Sequence, residues 1–237
     1  MVARHTVRLG VVLLLLAGIP TARSQSSAPS GKVAMISFTF ERSGLAVPRF
    51  EITVNEDGVG TYQADETEKH VTQQANMPST AMGIVKHIER PMMLSMGMTE
   101  KIFKAARSLK RFNTTCASKA KNIADTGTKT LTYTGVDGTG SCTYNYSEDK
   151  NVILLTGWFQ GIAFTMDEGR KLDYLHRYDR LGLDAEMQLL VQAIEEKNAL
   201  ELRNISSTLT SIVRDTDLMQ RVRVRASALL GQAADNR

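Results

Sequence analysis

The stretch GRKLDYLHRYDRLGLD, from Gly169 to Asp184, gathers three arginines, a lysine, a histidine, two tyrosines and three aspartates. Arginines beside a histidine and tyrosines can hold an organic acid or a phosphate, because guanidinium forks match such anions and a histidine can exchange a proton. The residues that would do this are Arg170, Asp173, His176, Arg177 and Tyr178. The same spacing also suits an ion-pair network at a joint. Arg170 and Asp173 stand three apart, and Asp173 and Arg177 four apart, both spacings that pair along a helix.

Other candidate chemistry is thin. His70, His87 and His176 are scattered and none has a metal-ligand spacing with another His or Cys, so no metal site is expected. SKAK at Ser118 matches S-x-x-K but lies in a loop without companion motifs. GTGSC falls between two strands rather than before a helix, so a tight hairpin explains its glycines better than a phosphate loop. No nucleophile, base and orienting group converge by spacing, and no catalytic residue or cofactor is assigned. The chain leans away from being an enzyme.

Projection on a helix places the cluster. Val152, Leu155, Phe159, Ile162, Ala163 and Met166 fall within one sector of about 100 degrees, a core face. Continued past Gly169, that sector is filled by Arg170, Asp173, Arg177 and Arg180, while Leu172 and Leu175 fall on the opposite side. Such a helix runs past the edge of one layer and turns its other side to new partners.

Before it, residues 32–150 read as an α+β sheet domain: an antiparallel sheet of about five strands with one packed helix. KVAMISFTF and RFEITV alternate with period two, Asn55 to Gly58 offers a turn, and Val59 to Gln63 closes a hairpin. Ala64 to Ser79 is polar without period and reads as a loop. PMMLSM leads as a strand into TEKIFKAARSLKRF, a helix for which Thr99 is a cap. TKTLTYTG and GSCTYNYS form the last hairpin. Residues 151–237 read as an all-helical region packed on the sheet or extending from it, with Asp184 and Asp217 as caps. Within it, RVRVR places Arg221 and Arg225 one turn apart on a solvated face.

Residues 1–24 carry Arg4 and Arg8 ahead of an apolar run from Leu9 to Ile19, too short to span a bilayer, with Ala22 and Ser24 where a signal peptidase reads. A signal peptide, a flexible leader over 25–31, and export to the periplasm or medium follow. No lipid anchor or stable membrane span is expected. Removing the signal takes away three arginines and no acid, leaving 26 basic against 25 acidic residues, so a nucleic-acid surface is not supported. Cys116 and Cys142 then meet an oxidising compartment, where a structural disulfide closing their loop is worth roughly 3 to 4 kcal/mol.

TGTKTLTYTG, GSCTYNYS, EGRKLDYLHRYDRLGLDAEM and RVRVRASALLG together resemble an uncharacterised family of exported bacterial proteins with no assigned function. The resemblance spans most of the mature chain and implies that sheet and helices recur as one unit. It brings no activity or ligand with it. Two readings follow from the residues: a binding or assembly module that meets a protein partner or itself through the helical tail, or a small-molecule binder or hydrolase built on the cluster at 170–180.

Overall fold

The computed structural model describes residues 33–69 and 83–235, and the expected signal peptide and leader, His70 and most of the expected 64–79 loop lie outside them. The fold is α+β. Six strands, β1 (Met35–Glu41), β2 (Arg49–Asn55), β3 (Val59–Lys69), β4 (Gly83–Met93), β5 (Thr128–Gly135) and β6 (Gly138–Tyr144), form one antiparallel sheet in the order β4-β3-β2-β1-β5-β6. Period-two alternation sends Ile36, Phe38, Phe50, Ile52, Tyr62, Leu131 and Tyr133 to one face, where they are buried. The other face is hydroxyl-rich. Thr61, Thr53, Ser37, Thr132 and Ser141 stand side by side across five strands.

The β2–β3 turn forms because Asn55 Oδ1 accepts from the amides of Asp57 and Val59, and Gly58 takes φ +79°. Two strands are longer than their sequence signal. β3 runs on to Lys69, and β4 begins at Gly83, well before Pro91, the two pairing along their whole lengths. This outer arm is polar or exposed on both faces, which removes the alternation that marks a half-buried strand.

Helix α1 (Met96–Ser108) is capped by Ser95, whose Oγ accepts from the Met98 amide at 3.3 Å. Thr99, expected as the cap, sits inside the helix and donates its hydroxyl to the Ser95 carbonyl. The chain then makes a left-handed turn: Lys110, Arg111 and Phe112 have φ of +53°, +56° and +64°. Buried Phe112 and the Arg111–Asp137 ion pair at 2.8 Å hold it over β6. Close by, Cys116 and Cys142 are at disulfide-bonding distance, with Cα atoms 5.8 Å apart.

Helix α2 (Lys150–Tyr178) is 29 residues long and capped by Asp149, which accepts from the amides of Asn151 and Val152. Its first half, through Met166, belongs to the sheet core, with Phe159 stacked on Phe38 at 5.1 Å. Leu172 belongs to a second core with α3 (Gly182–Glu195), α4 (Ser206–Arg214) and α5 (Gln220–Asp235). Gly169 marks the change. A Cβ there would stand 2.2 Å from Ile205 Cγ2, so only glycine lets the Leu202–Ile205 turn approach the helix so closely.

Neither expected acidic cap in the tail is used as one. Asp184 lies inside α3, drawn to Arg221 at 2.8 Å and Arg225 at 2.5 Å on α5, so these two arginines clamp a carboxylate, Arg221 while still exposed and Arg225 partly buried. Asp217 lies in the turn before α5, whose first amides, of Val222 and Arg223, donate to the Met219 carbonyl.

Candidate functional site

The last turns of α2 leave the sheet beside the β3–β4 arm, and the charged cluster falls there. Arg170 Nη1 donates to Glu66 Oε2 on β3 at 2.9 Å, with Asp167 3.9 Å from the other end of the guanidinium. Tyr62, also on β3, donates its hydroxyl to Asp167 at 2.9 Å. The expected Arg170–Asp173 pair therefore does not form: the lengthened β3 brings Glu66 within reach first. Asp173 pairs with Arg177 at 2.9 Å. His176 points elsewhere, its Nε2 2.9 Å from Asp215 Oδ2, and Arg180, past the helix end, approaches the same carboxylate at 3.4 Å.

Four of the five cluster residues thus come together and one does not. Arg170, Asp173, Arg177 and Tyr178, with Tyr174, form one wall of an open groove of about 550 Å³. The other wall is β4 from Lys86 to Pro91. Tyr174 and Tyr178 stand one turn apart with ring centroids 5.1 Å apart, 59 % and 72 % exposed. Arg90 is exposed and makes no ion pair among the described residues. Of the groove's arginines, Arg170 is committed to Glu66 and Arg177 to Asp173.

A second cavity, of about 590 Å³, shares Lys86, Arg170 and Tyr174 with the groove and adds Glu66, Asp167, Glu168 and Lys171. Burial raises the Asp167 carboxyl above its ordinary range, against the pull of Tyr62 and Arg170. Burial and the facing Glu186 carboxyl push Glu168 up to about 8. Glu186 itself is held by Lys171 at 2.6 Å. Glu168 Oε2 is buried and has no protein donor. A proton held on Glu168 and turned toward Glu186 accounts for both observations.

Lys129 is a further buried ionisable group that the sequence did not single out. Its Nζ donates to the carbonyls of Thr126, Gly127 and Asn145 and to Thr126 Oγ1, at 2.8 to 3.0 Å, and lies 5.7 Å from the Phe40 ring. Burial lowers its pKa. With its protons committed to loop oxygens, the amine fastens the 125–127 turn to β6 and has none of the freedom of a nucleophile.

Glu168 was missed because the carboxyl it faces, Glu186, lies on the next helix 18 residues along the chain, and Lys86 and Arg90 because their strand carries no alternation. Tyr174 was visible as a partner of Tyr178. Among the described residues no group of three or more His, Cys, Asp or Glu is arranged to hold a metal ion, and no helix is long and apolar enough to cross a membrane. No protein-family model and no curated protein matches the chain.

Proposed function

We propose that the protein is exported and works as a non-enzymatic binding module, taking a protein partner in the groove between β4 and the end of α2. Export is supported by the residues at 1–24 and by the pairing of Cys116 with Cys142. The groove carries the reading: two exposed tyrosines and an exposed arginine project together from rigid helix, and these side chains dominate binding energy at protein interfaces. They add large contact area at low entropic cost. The docking surface then joins the sheet edge to the start of the tail.

The test is to replace Arg177 and Tyr178 by Ala and compare two readouts. Both side chains are exposed, so the melting temperature should hold while retention of partner from the host's extracytoplasmic fraction is lost. Retention that survives both substitutions rules the groove out.

One observation favours a second reading, a small-molecule binder or hydrolase. Glu168, poised near pH 8 in the wall of the adjoining cavity, is a group that can exchange a proton with a bound molecule. Under this reading Glu168→Gln removes ligand-induced thermal shifts or turnover and leaves partner retention intact.

A further inference from the structure

The groove has a feature that narrows its occupant. Six consecutive residues of β4, Lys86 to Pro91, line it. Successive side chains of a strand point to opposite faces, so a cleft lined by all six follows the strand's edge rather than one face. β4 is the outermost strand of the sheet on this side.

The direction of its amides is fixed by two bonds. Leu94 donates inward to the Gly58 carbonyl at 2.8 Å, and Met93 donates outward to Asn204 Oδ1 at 2.8 Å. Antiparallel alternation then turns the amides and carbonyls of Val85, His87 and Glu89 outward, toward the groove. Pro91, which has no amide to offer, and the Asn204 side chain close the edge at its far end, two of the devices that keep a sheet edge from adding strands. The stretch between 85 and 89 has neither.

Arg90, at the end of this open stretch, has no anion of its own among the described residues. Arg177 holds only the neighbouring Asp173 and is 63 % exposed. An extended chain laid along β4 would place alternate side chains against Arg90, Arg177 and the two tyrosine rings. We propose that the partner contributes an extended, acidic segment, which adds to the sheet as a seventh strand and seats its carboxylates on Arg90 and Arg177. This rests on the groove being the binding site; main-chain bonds supply the docking and charge the selectivity.

A random dodecapeptide display library, selected on the purified protein and counter-selected on variants, tests it. Recovered peptides should carry Asp or Glu at alternate positions, free of proline. Synthesised, they should bind at least about tenfold more weakly to Arg90→Glu and to Arg177→Glu, and lose affinity with added salt. The decisive variant is Glu89→Pro. It removes an outward amide without touching the backbone pairing to β3, at the loss of one exposed side-chain bond from Gln63, and it also removes a negative charge, so attraction by charge alone would strengthen binding where strand addition abolishes it. An unchanged melting temperature shows that each variant folds.

Peptides that depend on Tyr178 but are basic, helical or apolar overturn the acidic strand and leave the binding module standing. Self-association of the protein, abolished by Glu89→Pro, overturns it in favour of a second copy. Peptides indifferent to every groove variant, or none at all, overturn the strand and the binding module together.

Discussion

Two arginines about two turns apart on α2 do different work, and substitution should separate them. Arg170 bridges Glu66 and Asp167 where both are largely shielded, beside the Tyr62 hydroxyl. Arg170→Ala leaves two carboxylates without their cation and should cost on the order of 1 to 3 kcal/mol in urea unfolding. Arg177 makes an exposed pair one turn along the helix, so Arg177→Ala should cost less than about 0.5 kcal/mol in the same measurement. Glu168 supplies a pH signature. Its carboxyl ordinarily titrates near 4.5 and in the fold near 8. Between those values the folded protein holds a proton that the unfolded chain has released. Stability from this group is therefore full below the lower value and is lost as pH rises to the upper one. Glu168→Gln mimics the protonated form and should flatten that decline; melting curves across the window that stay parallel in the two proteins would contradict a raised Glu168 carboxyl.

Among the elements, α2 was the most legible and the β3–β4 arm the least. The helical projection located the change of face near Gly169 from side-chain types alone, because a long helix shows burial as a 3.6-residue stripe. What it could not show was the partner: Ile205 meets Gly169 only through folding, 36 residues apart in the chain. Gly169→Ala should cost about 1 to 3 kcal/mol, helix propensity notwithstanding, since the added methyl overlaps Ile205. The caps went astray for a related reason. Asp184 and Thr99 are good capping types, but Arg221 and Arg225 claim the first, and Ser95, itself gripped by Glu201 at 2.7 Å through both its amide and hydroxyl, takes the place of the second. Lys110 gives the converse case. It occupies a left-handed conformation that costs a non-glycine residue about 1 kcal/mol, and its exposed side chain makes no contact that opposes the change. Lys110→Gly should therefore raise stability by about that amount.

At the scale of the molecule, α2 contributes to both cores, so the described residues of sheet and tail form one compact unit. The α+β class and the cysteine pairing were legible because both follow from local pattern and number. The groove was not, since it needs a strand edge and a helix end from opposite parts of the chain. Its arginines and tyrosines were nonetheless in view from the start, with their sense undecided between joint and site. They prove to be divided between the two: Arg170 and His176 hold the joint, while Arg177, Tyr174 and Tyr178 face outward. The most direct measurement is site-specific photo-crosslinking in the host. A crosslinking phenylalanine at Tyr178 should capture a discrete protein partner, and the same group at Val136, more exposed still in the β5–β6 turn, should not. Equal capture from both positions, or none from Tyr178, would contradict a docking groove at the end of α2.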